Sequence, residues 1–300
     1  MTLNELRLVV ALAKVKNFKK AADACFITQP ALSLAVKKLE DELGVMLFER
    51  SRKEISLTGI GELIVEQATK VLEEAERVKE IAKHGSNQLA GPLKLGVIYS
   101  VGPYLLPELI PILRKTAPQM PLLIEENLTA NLENQLKNGV IDLAIIALPF
   151  NIPGVHTQPL YEEEFAVLVP SDHEWAKRKE IAAGELDEEK VLLLSSGHCF
   201  SNQVIQSCPS LTRKGEILQG NSLETIRNMV TSNLGITVLP VSATGQKYQN
   251  GLTKVIPFQP PRPKRKIALA WRKSFFREQA VELVAQSIRQ IEMFQSHLID

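Results

Sequence analysis

The chain has 300 residues, of which 45% are hydrophobic and 23% are charged, and its formal net charge at pH 7 is +1. This composition is typical of a globular protein, and no apolar run approaches the ~18 residues of a membrane span, which argues against a membrane protein and predicts a cytoplasmic location. The three cysteines are too few, and odd in number, for a structural disulfide framework, so we expect any disulfide to act as a signal.

The N-terminal region is predicted to begin with two short helices, over residues 2–14 and about 18–25. Thr2 is a suitable cap for the first helix, because its hydroxyl can accept a hydrogen bond from the first helical turn. Cys25, at the end of the second helix, is interpreted as a small core residue.

A third helix is predicted from Thr28 to Leu43. Thr28 can cap its start, a proline follows at a position suited to the first turn, and Gly44 ends it. One side of this helix is apolar, and the other side is polar: Gln29, Ser33, Lys37 and Glu40. This plan is typical of a helix-turn-helix, in which Thr28 would bind a phosphate while Gln29 and Ser33 reach base edges. A plain helical hairpin with a polar face is the alternative.

Residues 45–58 are predicted to form a small wing, because two short extended runs flank a basic turn. Arg50, Arg52 and Lys53 lie at this turn, where they would contact phosphates or enter a minor groove.

Several motifs in residues 1–60 are similar to the DNA-binding domain of LysR-type transcriptional regulators. They are Ala21-Ala22, Thr28-Gln29-Pro30-Ala31-Leu32-Ser33, Lys38-Leu39-Glu40, Leu43-Gly44, Leu47-Phe48-Glu49-Arg50 and Leu57-Thr58-Gly59-Ile60-Gly61. The resemblance implies a winged helix-turn-helix over residues 1–58 that binds double-stranded DNA at promoter operators as a dimer. Pro30 and Lys37 would join the DNA-binding residues. The resemblance also implies a regulator rather than an enzyme, and it leaves a contact with RNA polymerase open.

A long helix is predicted from Thr58 to about His84, within a linker segment of residues 59–89. Two interleaved heptad series are typical of a coiled-coil seam: Ile64, Val71 and Val78, and Ala68, Ala75 and Ala82. We interpret the helix as pairing two chains. A solitary amphipathic helix packed on its own domain is the alternative.

Residues 90–300 are predicted to form a two-lobed α/β regulatory domain, so the whole chain is α+β and multidomain. Strand-like and helical stretches alternate, which favours parallel βαβ units. One lobe would hold about residues 90–162 and 267–300, and the other about 163–266, in the periplasmic-binding-protein-like plan that LysR-type effector domains resemble. Strands are predicted at about 93–98, 122–126, 143–147, 160–169, 191–194, 216–218, 236–239 and 267–271, and helices at about 103–116, 129–138, 222–232 and 278–294.

The segment 197–209 contains two of the cysteines. Cys199 stands where a helix would begin, so unpaired N–H groups favour its thiolate, and a protonated His198 would add to this effect. Cys208 falls on the apolar face of the same helix. Nine rises of about 1.5 Å would separate the two Cα atoms by roughly 13 Å, whereas a disulfide needs them within ~7 Å. The two thiols can therefore join only if the helix refolds. In the alternative interpretation, Cys199 is a thiol at the helix start, Cys208 is a core thiol, and the two never meet.

Motifs in the second half resemble the peroxide-sensing members of the same family. They are residues 100–107 (SVGPYLLP), 197–199 (GHC), Cys208, 222–230 (SLETIRNMV) and 235–240 (GITVLP). The resemblance implies that hydrogen peroxide oxidises Cys199, the peroxidatic cysteine, to a sulfenic acid, and that Cys208, the resolving cysteine, completes an intramolecular disulfide. It also implies a homotetramer assembled from dimers.

The same resemblance implies a peroxide pocket formed by Ser100, Thr129, His198 and Arg265. The chain departs from the family after the cysteine, where residues 200–203 are Phe-Ser-Asn-Gln and the family commonly has Leu-Arg-Asp-Gln. This change removes two charges beside the thiol. No cofactor is expected, and no metal site, because the five histidines are scattered.

Two other functions stay open. In the first, a LysR-type regulator binds a small organic effector in the interlobe cleft, the cysteines are structural, and Ser100 and Thr129 contact the ligand. In the second, the chain is a thiol peroxidase or disulfide enzyme, which is disfavoured because it lacks a Cys-x-x-Cys motif and carries a DNA-binding module.

Overall fold

The computed structural model describes residues 1–50, 55–84, 87–208, 218–248 and 251–292. It divides into two compact units, residues 1–86 and 87–300. The predicted fold class is confirmed: a winged helix-turn-helix and a long helix precede a mixed α/β domain. In the described ranges, no helix is both long and apolar enough to cross a membrane.

The first unit consists of a helical core and a small hairpin. Its elements are α1 (Leu3–Val15), α2 (Phe18–Ala24), α3 (Gln29–Leu43), β1 (Phe48–Arg50), β2 (Ile55–Leu57) and α4 (Gly59–His84). Thr2 and Thr28 cap α1 and α3 as predicted, by accepting hydrogen bonds from Glu5 N and Ala31 N. β1 and β2 pair antiparallel, as the predicted wing requires. Arg52 and Lys53, at the wing tip, lie outside the described residues.

Glu40 corrects the predicted polar face of α3. Its side chain is buried, and Oε1 accepts hydrogen bonds from the backbone N–H groups of Leu47 at 2.7 Å and Phe48 at 3.2 Å. The predicted outward position is wrong because the chain folds back over the end of α3, and its buried N–H groups require an acceptor. Glu40 therefore joins α3 to the start of the wing.

The predicted seam of α4 is divided between two environments. Ile64 and the buried Ala68 pack into the core of the first unit. Val71 and Val78 are 37% and 66% exposed. The first part of α4 is therefore a domain helix, and the later valines are open for pairing with a second chain.

The second unit is built on one mixed sheet. Its strands are β3 (Leu93–Ile98), β4 (Leu122–Asn127), β5 (Leu143–Ala147), β6 (Val155–Pro170), β7 (Val191–Leu194), β8 (Leu218–Gly220), β9 (Ile236–Pro240), β10 (Thr253–Pro257) and β11 (Lys264–Arg272). Their order is β4-β3-β5-β11-β6-β9-β7-β8, with β10 paired to β6. The helices are α5 (Gly102–Thr116), α6 (Thr129–Lys137), α7 (Cys199–Ser207), α8 (Leu223–Thr231) and α9 (Glu278–Arg289).

Parallel pairing occurs at the two ends of this sheet, as predicted for βαβ units. β3 pairs parallel with β4 and β5, and β7 pairs parallel with β8 and β9. The central strands β6 and β11 are antiparallel. Tyr161 of β6 belongs to one hydrophobic core and Phe165 to the other, so this strand passes from one half of the domain to the other.

Three elements differ clearly from the prediction. β6 begins at Val155, five residues before its predicted start at about residue 160. β10 was not predicted, because a short run between Gly251 and a proline-rich segment has the pattern of a loop, and its strand geometry comes from pairing with β6. Helix α9 ends at Arg289, before the predicted end at Phe294, which lies outside the described residues.

We predict that Glu40→Ala destabilises the helix-turn-helix by about 2–3 kcal/mol, because two buried N–H groups lose their acceptor. Hydrogen–deuterium exchange of the full chain should show faster exchange at Leu47 and Phe48. Glu40→Gln keeps an acceptor oxygen and should lose less protection. Glu42→Ala is the surface control, since Glu42 is exposed and pairs with the N-terminal amine of Met1. Equal protection in Glu40→Ala and Glu42→Ala would contradict the assignment.

Candidate functional site

Cys199 is the first residue of helix α7, as the sequence predicts. His198 occupies the N-cap position, but its side chain makes no capping hydrogen bond. The first N–H groups of α7 are therefore not satisfied by a side-chain cap. Ser201 holds this first turn in place, because its hydroxyl donates a 2.6 Å hydrogen bond to the carbonyl of Leu194 at the end of β7.

Gly197 turns the chain from β7 into α7. Its φ is +100°, a conformation that favours glycine. A Cβ at this position would lie 3.2 Å from Cδ1 of Leu128. Glycine is therefore required both by the backbone and by the close approach of the loop that precedes α6.

A small pocket lies beside Cys199. The empty space there is about 170 Å³, a volume that includes open solvent. Its walls come from the end of β3, the connection from β4 to α6, and the start of α7: Ile98, Tyr99, Ser100, Asn127, Leu128, Thr129, His198 and Cys199. Three of the predicted pocket residues, Ser100, Thr129 and His198, thus line the same space as Cys199.

Two hydroxyl groups in this pocket can bind a polar ligand. Oγ1 of Thr129 is buried and has no hydrogen-bond partner within the described part of the chain. Oγ of Ser100 accepts a 2.8 Å hydrogen bond from Nη1 of Arg265, which leaves the Ser100 hydroxyl proton free to donate elsewhere. Both groups can hydrogen-bond to a peroxide oxygen.

Arg265 lies behind Ser100 rather than in the pocket wall. The guanidinium is buried, pairs with Glu163 at 2.7 Å, and stacks on the ring of Phe200 with its carbon 4.9 Å from the ring centroid. Its neighbours Lys264 and Lys266 pair instead with Glu162 and are more than half exposed. Of these three basic residues, Arg265 is therefore the one that reaches the site, through its hydrogen bonds to Ser100.

The imidazole of His198 does not supply positive charge at neutral pH. Burial lowers the pKa of His198 below its ordinary value of 6.5, which favours the neutral ring. The contribution that was predicted for a protonated His198 would therefore require a pH below this lowered pKa. The ring instead packs against Tyr99, with 5.7 Å between the ring centroids.

Cys208 is a protected thiol at the other end of α7. Its side chain is 2% exposed and belongs to the core around β7 and β9. Burial, and then the carboxylate of Asp187, raise the pKa of Cys208 to about 11. Cys25, Cys199 and Cys208 are all free. The unbroken helix keeps Cys199 and Cys208 apart by roughly the 13 Å expected from its length.

The predicted DNA-binding residues gather at the start of α3 and along its outer face. Thr28, Gln29, Pro30 and Lys37 are exposed, and Ser33 is half-buried. The backbone of Arg50 lies in β1. Leu34, which was not among the predicted residues, is 69% exposed. It lies one helical turn after Pro30, so the helical repeat could have indicated that it shares the exposed face of α3.

Sequence reasoning also missed three residues at the pocket beside Cys199. Tyr99 and Asn127 line it, and Glu163 holds Arg265. Tyr99 and Asn127 could have been suspected because each stands at the carboxyl end of a strand, where sites form in α/β sheets. No local pattern identifies Glu163.

Two family matches together cover most of the chain. Residues 3–62 match the bacterial regulatory helix-turn-helix protein, lysR family, and residues 86–291 match the LysR substrate binding domain.

Full-length relatives are also similar. The hydrogen peroxide-inducible genes activator of Dickeya chrysanthemi is 39% identical over 299 residues, which cover 99% of this chain and 97% of that protein. The DNA-binding transcriptional dual regulator OxyR of Escherichia coli K12 is 38% identical over 290 residues, which cover 96% and 95%.

Solved structures give the same picture. A variant of full-length OxyR from Pseudomonas aeruginosa is 49% identical and superposes with a TM-score of 0.80, over 100% of this chain and 98% of that one. A Corynebacterium glutamicum OxyR mutant with hydrogen peroxide bound is 33% identical, with a TM-score of 0.66 over 96% and 92%.

We predict that Gly197→Ala destabilises the regulatory domain by about 1–3 kcal/mol, because alanine at φ +100° is strained and approaches Leu128. Thermal unfolding of the full chain measures this loss. Gly184→Ala is the matched control in the same domain, since nothing lies within 4 Å of its Cβ. Equal melting temperatures for the two variants would show that the turn tolerates a side chain.

We predict that Cys208 in a Cys25→Ser/Cys199→Ser variant is alkylated by iodoacetamide about 100-fold more slowly at pH 8 than the same thiol after unfolding, because the thiolate fraction falls tenfold per unit of pKa. This follows from a pKa of about 11 against an ordinary 9.0. Between these two pKa values the Cys208 thiol ionises in the unfolded chain but not in the folded chain. The free energy of unfolding therefore falls as the pH rises from 9.0 towards about 11. A native rate profile that levels off near pH 9 would contradict the shift.

Proposed function

The chain belongs to the LysR family of bacterial transcriptional regulators and, within it, to the OxyR-type hydrogen peroxide-inducible gene activators, and on this basis we propose that it senses peroxide through a Cys199–Cys208 disulfide that changes its hold on DNA. The observation that carries the proposal is the pocket that brings Cys199 together with the hydroxyls of Ser100 and Thr129.

The first chemical step is oxidation of Cys199. Its thiolate attacks one oxygen of hydrogen peroxide, the S–O bond forms as the O–O bond breaks, and the departing hydroxide takes up a proton to become water. Ser100, with its lone pair engaged by Arg265, donates to a peroxide oxygen, and the unpaired Thr129 hydroxyl provides the second contact. The product is a sulfenic acid at Cys199.

The second step joins the two cysteines. The sulfur of Cys208 attacks the sulfenic sulfur, the disulfide forms, and water leaves with the thiol proton. Because α7 separates the thiols by roughly 13 Å, this step requires α7 to unwind. Phe200 packs against Phe165, with ring centroids 5.1 Å apart, so unwinding also removes an aromatic side chain from the core. The redox reaction is thereby converted into a change of conformation.

The size of the pocket favours peroxide over an organic effector. Even with the open solvent at its mouth included, its empty space is only about 170 Å³, which leaves little enclosed room for an organic ligand. A LysR-type regulator with a metabolite in this pocket and two structural cysteines is therefore the weaker candidate.

The remaining parts of the proposal concern assembly. Residues 1–58 bind operator DNA through Thr28, Gln29, Pro30, Ser33, Lys37 and the basic wing. Residues 59–89 pair two chains, using the exposed Val71 and Val78, and residues 90–300 sense peroxide and complete a tetramer. The regulator acts in the cytoplasm as a DNA-binding protein rather than an enzyme, and a contact with RNA polymerase would link it to transcription.

We predict that peroxide produces a Cys199–Cys208 disulfide in the full-length chain and, with it, a changed DNA footprint. Peptide mapping without reductant and footprinting of the same samples measure both. Cys199→Ser should prevent both changes, and Cys208→Ser should stop at a sulfenic acid that dimedone traps. Cys25→Ser is the matched control and should behave as the parent. A peroxide-induced footprint that survives in Cys199→Ser would refute the proposal.

A further inference from the structure

The mouth of the peroxide pocket is formed by Tyr99. Of the residues that line the pocket, Tyr99 alone falls in the exposed class, with 41% of its surface accessible. The other lining residues are buried or half-buried. Tyr99 therefore lies where the pocket meets solvent, directly after the strand β3 that leads to Ser100.

The ring of Tyr99 packs against the ring of His198. Their ring centroids are 5.7 Å apart and the planes are inclined at 52°. His198 precedes Cys199 in the chain, occupies the N-cap position of α7 without a side-chain cap, and lines the same pocket as Cys199. The two rings together narrow the approach to Cys199.

We propose that Tyr99 is a specificity-determining residue that admits hydrogen peroxide to Cys199 and excludes hydroperoxides carrying a bulky organic group. This inference rests on the proposed function. The thiolate attacks the hydroxyl-bearing oxygen of a hydroperoxide, so the second oxygen leaves with whatever it carries. For hydrogen peroxide that group is hydroxide, which becomes water on protonation. For an organic hydroperoxide it is an alkoxide, which becomes an alcohol.

The geometry of the pocket restricts the second case. The hydroxyls of Ser100 and Thr129 engage the peroxide oxygens inside the pocket, so an organic substituent has to extend through the mouth. There it meets the rings of Tyr99 and His198. The empty space at the pocket is about 170 Å³ even with open solvent included, so the enclosed part around the oxygens is small and a phenyl-sized group has to lie at the mouth.

The test compares two probes, hydrogen peroxide and cumene hydroperoxide, on the full-length chain. The second-order rate constant for sulfenic acid formation at Cys199 is measured with each probe by dimedone trapping, in a Cys208→Ser background. The quantity of interest is the ratio of the cumene hydroperoxide rate to the hydrogen peroxide rate. Tyr99→Ala should raise this ratio about tenfold or more, as expected when a pocket loses a steric wall.

Two further variants separate a gate from a general disturbance. Tyr99→Phe keeps the ring and should keep the parent ratio, because the hydroxyl is not needed for exclusion. Tyr99→Trp enlarges the ring and should lower the ratio further. This opposite response provides a test even if Tyr99→Ala folds poorly.

The outcomes distinguish this inference from the function on which it rests. A parent protein that forms no sulfenic acid with hydrogen peroxide would overturn the proposed function itself. A parent that reacts with hydrogen peroxide, combined with equal ratios in the parent, Tyr99→Ala and Tyr99→Trp, would overturn the gate alone.

Discussion

An intact helix between two thiols is the constraint on which the regulatory domain depends. While α7 is folded, Cys199 and Cys208 stand at its opposite ends, roughly 13 Å apart, and no disulfide can form. The helix is held by ordinary interactions: the Ser201 hydroxyl bonds to the carbonyl of Leu194, and Phe200 packs between Arg265 and Phe165. In the proposed mechanism, formation of the Cys199–Cys208 disulfide has to overcome this packing, so oxidation of the two sulfur atoms would change the conformation of the domain.

The central strand β6 connects this site to the rest of the domain. Glu163 on β6 receives the guanidinium of Arg265 and the backbone N–H of Ser242. A buried ion pair carries a large desolvation penalty unless its remaining hydrogen-bonding groups are satisfied. Here Arg265 also donates to the hydroxyl and the carbonyl of Ser100. The buried Arg265–Glu163 ion pair thus contacts the pocket, the first turn of α7 and both halves of the sheet.

The two cysteines lie in different surroundings, which suit them to different roles in the proposed reaction. Cys199 is half-buried at a helix start without a side-chain cap, in a pocket that the hydroxyl-bearing residues Ser100 and Thr129 also line. Cys208 lies in an apolar core, where burial raises its pKa to about 11 and keeps it protonated. In the proposed mechanism, peroxide would react with Cys199, which lines the pocket, and Cys208 would become available only when α7 opens. The arginine of the family's charged pair after the cysteine is replaced here by Ser201, whose hydroxyl anchors the helix to Leu194.

The sequence by itself determined the order of the elements and the positions with a local signature. The Thr28 cap, the end of α3 at Gly44, and the start of α7 at Cys199 depend on neighbouring residues, so the linear pattern contains them. Only the tertiary structure decided what distant segments do to one another. Glu40 is turned inward by the wing that folds over it, β10 becomes a strand because β6 is beside it, and Glu163 acquires its role from Arg265, about a hundred positions away. Burial and partner choice in these cases arise from long-range contacts, and no local pattern records them.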